Sequence, residues 1–383
     1  MNLSLAIKNI VGTSVVYFFL IVPFDPQLLL AVVIIFFLIS ICKGIPVDKI
    51  SLAFLLSLLV CIYGVFVGFF NGNPTAHIFR NAGGAFFLLT YFIFSSFSNE
   101  WLRVINFFII RALIAYLFFS IIFYIAYNIG LRELFYNFIF ILGDVHGSGD
   151  DSIYRTYGFP FFSLGLLALP LIVGNRSDYF HVSIGFLILI FIIVSSFSKG
   201  AVLMFFFSLV IYLHVGKNSL LTKIFVIVFA FILGYFAYST YLENVINVFG
   251  VESTGNLQRI EQLKSFFDEV TLLGNGFGAP FKTFIRSFDA PYGSEISYFM
   301  FIHKVGIFSL IVFFLLFFGL FSIFTVPKYR MSAELIQLAG ISLYLFPSFG
   351  NPILFHPILL TLFCFYFAAY RRSMFGRCVS GGQ

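Results

Sequence analysis

Charge is what this chain has least of. Only 10% of its 383 residues are Asp, Glu, Lys or Arg, whereas a soluble globular domain carries about 25%. Apolar residues make up 61% of the chain, and the mean hydropathy is +1.04. This composition excludes an ordinary soluble domain and indicates a polytopic integral membrane protein.

Cysteine and tryptophan are also scarce. The four cysteines, Cys42, Cys61, Cys364 and Cys378, lie in or beside apolar runs or in the tail, so neither a disulfide framework nor a CxxC metal site is predicted. The six histidines are scattered, and no metal-binding motif stands out. A single Trp contrasts with 60 Phe and 20 Tyr, which suits helices packed in lipid. The composition does not indicate a substrate.

The apolar runs divide the chain into about twelve predicted membrane spans, since a bilayer core requires about 20 apolar residues per helix. The spans fall at residues 6–22, 27–42, 50–70, 82–98, 104–127, 158–174, 181–197, 200–214, 220–239, 297–326, 333–348 and 352–370. We expect the first run to be a retained helix, because no small-residue cleavage site follows it. The sequence therefore predicts an all-α integral membrane protein with one membrane domain over residues 1–383.

The basic residues predict the orientation of these spans. With both termini inside, the inner side holds twelve Lys or Arg residues against four Asp or Glu residues, and the other twelve acidic residues lie outside. This distribution follows the positive-inside rule. The reverse orientation would place every short basic loop on the wrong side.

Two predicted outer segments are long, at residues 127–160 and 241–298. The first contains His146 near Asp144, Asp150 and Asp151, a cluster that a cation could use, although a solvated loop is the simpler interpretation. The second segment is the longest interruption of the hydrophobic runs and carries many of the polar side chains. Because an almost lipid-soluble protein does its polar chemistry where polar side chains collect, we expect the function to lie in the second segment.

An amphipathic helix is predicted in the second segment. Apolar residues recur there at helical spacing, with charged residues between them: Leu257, Ile260, Leu263, Phe266, Phe267 and Val270. Such a helix would lie on the outer membrane surface, or would only cover the bundle. A helix that only covers the bundle does not explain Arg259 well. The start of a helix already carries partial positive charge from the helix dipole, so a cation there is unfavourable.

Three glycines follow this helix, at Gly274, Gly276 and Gly278, with Pro280 after them. No strand precedes them, which excludes a dinucleotide-binding fingerprint. Two interpretations stay open. The glycines form a tight turn, or they bring backbone N–H groups close to a phosphate as an anion nest.

Several further cations lie on the predicted outer side. Lys282 and Arg286 are four residues apart and would share one face of a helix, so that they could form a basic pocket with Arg259. Arg155 lies where the chain re-enters the membrane, and it would either bind an anion or pair with a nearby Asp. Arg80 lies in a shorter outer segment.

Two residues are candidates for a general base. Glu295 lies where the large outer segment meets the next span, and a carboxylate there either caps the helix or accepts a proton. His303 lies eight residues later, on nearly the same helix face. Ionisable residues in or near the bilayer are functional candidates.

Five features, taken in order, resemble the superfamily of Wzy-type O-antigen polymerases and O-antigen ligases. They are Arg155-x-x-Gly158, the Ser198-Lys199-Gly200-Ala201 break, Arg259, Leu273-Gly274-x-Gly276-x-Gly278, and Gly293-Ser294-Glu295 followed by Val305-Gly306-Ile307. The resemblance covers roughly residues 150–326. It implies a GT-C-like polymerase/ligase architecture in the bacterial inner membrane, with the outer segments in the periplasm. It also implies an undecaprenyl-diphosphate-linked oligosaccharide as substrate, membrane lipid as surroundings, and no cofactor, metal or nucleic acid.

The resemblance also implies roles for individual residues. Arginines at the positions of Arg155 and Arg259 would hold the diphosphate of the donor lipid. From their place on the outer side, Arg286, Lys282 and Arg80 are further candidates for binding the diphosphate. Ligases tend to carry a His, often in an HN pair, where this chain has Glu295. This difference favours a polymerase over a ligase.

The implied reaction needs a base, for which Glu295 is the first candidate and His303 the second. A lipid-linked-oligosaccharide flippase is the alternative from another class. Such a carrier needs a charged central cavity and short loops, whereas the charge here lies in a long outer loop. The sequence leaves open whether a chain-length regulator binds.

Overall fold

The computed structural model describes residues 9–17, 26–42, 44, 48–129, 131, 159–174, 179–196, 198–216, 224, 228, 254–281, 293–294, 296–327, 331–351 and 353–380. This part of the chain is built of helices and turns and contains no strand, which confirms the predicted all-helical class for the described residues. The predicted span 220–239, most of the segment 127–160, and Arg155, Lys282, Arg286 and Glu295 lie outside it.

The helices are α1 over 9–17, α2 Pro26–Cys42, α3 Lys49–Phe70, α4 Thr75–Ala82, α5 Thr90–Ser95, α6 Asn99–Asn128, α7 Phe159–Phe162, α8 Gly165–Val173, α9 Tyr179–Ser196, α10 Lys199–Val215, α11 Thr254–Glu269, α12 Ser297–Val305, α13 Ser309–Thr325, α14 Ala333–Ser342 and α15 Pro357–Ser380. Short 3₁₀ turns lie at Ala85–Leu89, Gly306–Phe308, Leu343–Leu345 and Pro347–Phe349.

Three stretches are long and apolar enough to cross a membrane: Lys49–Phe70, Asn99–Ala126 and Ser297–Thr325. The bent pair Thr75–Ala82 and Ala85–Ser95 would make a fourth. The shorter apolar helices Leu29–Cys42, Phe180–Ser196, Lys199–Val215 and Ala333–Phe349 match other predicted spans. The chain thus fits a helical membrane protein, and the number of twelve spans stays a prediction.

Glycines mark a bend and a break at two of the predicted spans. The span predicted over 82–98 is the shorter helical stretch Ala85–Ser95, which bends by 45° from the helix Thr75–Ala82 before it. A Cβ on Gly84 would lie 2.3 Å from the carbonyl oxygen of Phe355, so only glycine allows this approach. The span predicted over 297–326 is interrupted at Gly306, which has a φ of 60°.

The core centres on α14, which packs against α8, α13 and α15. Leu338 and Ala339 of α14 are fully buried. Gly165 of α8 and Gly340 of α14 approach closely, since a Cβ on Gly165 would lie 2.4 Å from the Gly340 carbonyl oxygen. Small residues at such crossings let helix backbones come close together, as is common in membrane bundles.

One end of the bundle joins segments that the sequence predicts to lie inside. The carboxylate of Asp48 caps α3 by accepting from the Ser51 N–H at 2.8 Å, and it also accepts from Nε of Arg371. Arg372 donates to the carbonyl oxygen of Ser95 at 3.0 Å. Burial alone would raise the pKa of Asp48, but the Ser51 N–H and the Arg371 charge outweigh it and lower the pKa.

Candidate functional site

The opposite end of the bundle joins segments that the sequence predicts to lie outside, and α11 is the helix around which they gather. A helix over Thr254–Glu269 lies where the amphipathic helix was predicted, with Gln262, Ser265 and Phe266 buried against the protein. Leu257 and Phe267 are exposed. The inward face is therefore largely polar, while apolar side chains point away from the protein.

Arg259 lies on the inward side of α11. Its Nη2 donates to the carbonyl oxygen of Gly350 at 3.1 Å, which ties α11 to the end of the turn Pro347–Phe349. The positive charges of Arg259 and Lys199 are close enough to repel each other. Two cations from distant parts of the chain thus share one end of the bundle.

Close packing explains why Lys199 lies at the same end of the bundle as Arg259. A Cβ on its neighbour Gly200 would lie 2.2 Å from Cα of Pro347, so the start of α10 lies directly against the turn Pro347–Phe349. The sequence indicates a break between spans at Ser198-Lys199 but no role for Lys199. The available signal was a Lys beside a predicted outer loop, which runs against the positive-inside rule.

Hydrogen bonds fasten the start of α12 beside Arg259. Ser294 Oγ donates to Gln262 Oε1 at 2.7 Å, and Ser297 Oγ donates to the Asn351 carbonyl oxygen at 2.6 Å. Asn351 Nδ2 in turn donates to the Pro347 carbonyl oxygen at 3.0 Å. The residues on both sides of Glu295 are therefore held near Arg259, while Glu295 itself lies outside the described residues.

Two other basic residues lie at this end. His356 lies just before α15 and is half-buried. Arg80 is exposed in the last turn of α4. Its neighbour Asn81 accepts from the Gly278 N–H at 3.3 Å, which places Arg80 beside the glycine segment.

Residues 271–281, here named the glycine loop, run from the end of α11 along α3 and α4. Gly274, Gly276 and Gly278 have φ values of 83°, 81° and 78°, a region that only glycine adopts without strain. A Cβ on Gly278 would lie 2.7 Å from the Ile78 nitrogen. All three glycines are needed for both backbone conformation and space.

The backbone N–H groups of the glycine loop bind protein oxygens. Asn275 N donates to the His303 carbonyl at 2.8 Å and Gly276 N to the Lys304 carbonyl at 2.9 Å. Further donors are Gly274 N to Thr271, Phe277 N to Gly64, Gly278 N to Asn81 and Ala279 N to Gly276. Because these donors point at the protein, the geometry favours the tight-turn interpretation over the anion nest.

A cluster of ionisable residues lies beneath the glycine loop. Lys304 is fully buried; its Nζ donates to the Ala279 carbonyl oxygen and lies 3.4 Å from His303 Nδ1. A protonated Lys304 can only donate, and it then requires Nδ1 as the acceptor with the imidazole proton on Nε2. Nε2 lies 3.9 Å from Glu269 Oε2, so the His303 ring lies between the Lys304 and Glu269 side chains.

His303 is not brought to Arg259. Its partner Glu269 lies ten residues beyond Arg259 on α11, which is about 15 Å along a helix axis. The His303 side chain is 1% exposed, and the ring of Phe281 stacks on it with centroids 4.5 Å apart. In this arrangement His303 joins α11, the glycine loop and α12, and it is closed to a substrate.

Among the described residues no group of three His, Cys, Asp or Glu side chains could hold a metal ion. Comparisons with protein-family models, curated proteins and solved structures gave no match.

Proposed function

We propose that this protein is a glycosyltransferase that joins undecaprenyl-diphosphate-linked repeat units of a surface polysaccharide, the O-antigen, at the periplasmic face of the bacterial inner membrane. The observation that carries the proposal is the meeting of Arg259 and Lys199 at one end of an apolar helical bundle. Positive charge gathered at one place attracts an anion. A diphosphate supplies such an anion.

The proposed reaction transfers a glycan from its lipid diphosphate to a sugar hydroxyl. The hydroxyl oxygen of the incoming repeat unit attacks the anomeric carbon of the donor glycan, and the bond from that carbon to the diphosphate oxygen breaks. The diphosphate leaves with the electron pair, and the hydroxyl proton passes to a base, for which Glu295 is the candidate. The attack from the opposite face inverts the anomeric centre.

Stabilisation of the leaving diphosphate is the main contribution we assign to Arg259. A guanidinium group presents paired N–H donors that match phosphate oxygens. Its Nη2 bond to the Gly350 carbonyl limits its rotation, so the cation is oriented before the substrate arrives. Electrostatic stabilisation by groups already in place is commonly the largest part of such catalysis.

The surroundings of Arg259 suit a substrate with a long apolar tail. Leu257 and Ile260 are exposed on the same helix, so the lipid tail can stay in the bilayer while the diphosphate reaches the cations. We propose the orientation with both termini in the cytoplasm. Among the family's activities, polymerisation is favoured over ligation because no HN pair occurs at Glu295.

A lipopolysaccharide gel of a strain lacking the gene tests the proposed function. Polymerase loss leaves core carrying one repeat unit, because flipping and ligation still work. Bare core with long polymer on the lipid carrier would identify a ligase instead. Bare core with single lipid-linked units on the cytoplasmic side of the membrane would identify a flippase.

Variants at Arg259 then test the site. In that strain we expect Arg259→Ala to leave single repeat units, and Arg259→Lys to form shorter chains, because Lys cannot form the paired contact. Lys264→Ala is the matched control, since Lys264 is an exposed cation on the same helix. Normal chain lengths with Arg259→Ala, at unchanged protein abundance in the membrane, would reject the assignment.

A further inference from the structure

Two leucines at the start of the glycine loop are unusually exposed. The exposed fractions are 72% for Leu272 and 57% for Leu273. Their backbone is nevertheless held firmly, since Tyr63 Oη donates to the Leu273 carbonyl at 2.9 Å and Ile307 N donates to the Leu272 carbonyl at 2.9 Å. The apolar side chains thus project outward from a fixed backbone.

The hydrogen bond from Tyr63 shows how far Leu272 and Leu273 lie from the outer end of α3. Tyr63 lies seven residues before Phe70, the last residue of α3, which corresponds to about 10 Å along the helix. The 22 residues of α3 are about 33 Å long and match a hydrocarbon core of about 30 Å. Leu272 and Leu273 therefore lie beside α3 well below its outer end.

Polar backbone at this depth must be satisfied by the protein itself. In a continuous helix, Ile307 N would donate to the His303 carbonyl, but the break at Gly306 separates them. Ile307 N bonds to Leu272 and the His303 carbonyl accepts from Asn275 N instead. The glycine loop thus replaces the helical bonds that the break removes, as a loop inside a membrane requires.

The exposed surface of α11 is divided into two flanks. At 100° per residue, Ile260 and Phe267 fall on one flank with Val270, the first residue after α11, and all three are exposed. Glu261, Lys264 and Asp268 fall on the other flank and are also exposed, with the exposed Leu257 among them. The first flank is apolar, and the second is mainly charged.

The apolar flank continues the outer surface of two spans. Phe66 of α3 and Ile307 and Leu310 near the start of α13 are exposed, and the rings of Tyr63 and Phe308 pack with centroids 4.9 Å apart. Both spans are apolar enough to cross a membrane. The apolar surface along these spans therefore extends onto the glycine loop at Leu272 and Leu273.

We propose that the glycine loop is re-entrant: Leu272, Leu273 and Phe267 lie in the hydrocarbon of the outer leaflet, and lipid acyl chains are the partner of this surface. The charged flank of α11 stays in water. This placement does not depend on the enzymatic activity, so its test and that of the proposed function fail independently.

The single tryptophan makes a direct test feasible. In a Trp101→Phe background, Leu272→Trp is reconstituted into vesicles of phosphatidylcholine carrying bromine on the acyl chains, which quench a touching indole. We expect a blue-shifted emission that loses most of its intensity relative to vesicles without bromine. Phe267→Trp, an aromatic exchange that perturbs folding less, should behave in the same way.

Lys264→Trp in the same background is the control, and its emission should be red-shifted and unquenched. Red-shifted, unquenched emission from both Leu272→Trp and Phe267→Trp would place these residues in water and overturn the proposal. Blue-shifted but unquenched emission would also overturn it, because protein rather than lipid would then cover the surface.

Discussion

Gly276 of the glycine loop lies so close to Gly68 of α3 that a Cβ on Gly276 would be 2.2 Å from the Gly68 nitrogen. The fit is mutual, since a Cβ on Gly68 would lie 2.6 Å from the carbonyl oxygen of Phe277. Neither contact involves a flexible side chain that could move away. The two backbones can meet only while both positions are glycine.

Gly276→Ala should destabilise the protein strongly. Alanine at a φ of 81° is strained, and its methyl group would also force the loop away from α3. We expect a loss of at least about 2 kcal/mol, seen as a lower melting temperature of the purified protein in detergent.

Gly72→Ala separates the clash from the backbone strain. Gly72 has a φ of 70°, but nothing lies within 4 Å of a Cβ there. The cost should be about 1 kcal/mol, from the left-handed conformation alone. Equal losses for Gly72→Ala and Gly276→Ala would mean that the close contact with Gly68 adds nothing.

Much of the helix plan could be predicted because charged or turn-forming residues bound the apolar runs. The span predicted at 50–70 is Lys49–Phe70 in the structure, and that at 27–42 is Pro26–Cys42. The bend at Gly84 and the break at Gly306 were missed. A lone glycine inside an apolar run has the same local pattern whether or not another backbone approaches it.

The candidate site was predictable only in part. Arg259 was found because it conflicts with the helix dipole, but its partner Gly350 is distant in the chain and gives no local signal. Lys199 depends on the contact of Gly200 with Pro347, which is equally non-local. His303 was given a catalytic role from its place in a span, whereas its surroundings depend on how α11 and the glycine loop fold over it.

The stability of the protein should depend on pH in the acid range because of Asp48, at the inner end of the bundle. Its pKa is lowered in the folded protein, so the carboxylate contributes stability above the unfolded-state pKa of about 4. That stability is lost as the pH falls through the lower, folded-state pKa. Asp48→Asn keeps a helix-capping side chain but removes the charge that pairs with Arg371.

We expect Asp48→Asn to cost about 1.5–3 kcal/mol at pH 7. The difference from wild type should be constant between about pH 7 and pH 5 and shrink at lower pH. Unfolding titrations at a series of pH values measure this. A difference that does not change with pH would show that the charge of Asp48 is not responsible.

Glu269 and Lys304 should be energetically coupled across His303. We expect Glu269→Gln and Lys304→Met to destabilise the protein individually, and the double variant to lose less than their sum by about 0.5–3 kcal/mol. The reason is that either single change leaves the opposite charge without its counterpart. Glu261→Gln, which alters an exposed residue of the same helix, should show no coupling with Lys304→Met.

Lys199→Gln should lower transfer activity without lowering stability. A lost charged contact with the diphosphate is worth about 1.5–3 kcal/mol, or a roughly 10- to 100-fold slower rate. The melting temperature should stay constant or rise, because the repulsion with Arg259 is removed. A large fall in melting temperature would instead mean that Lys199 mainly supports the fold.

The bonds of the glycine loop also bear on how the protein is made. Gly276 and Phe277 pack against the outer half of α3. The ribosome adds these two residues only some two hundred residues after α3. During synthesis, α3 therefore enters the membrane with a shallow groove along Gly64 and Gly68 that its own half of the chain does not fill. Assembly of the amino-terminal half is completed by the carboxy-terminal half, so a chain that stops before the glycine loop would present an unfinished helix surface to quality-control proteases.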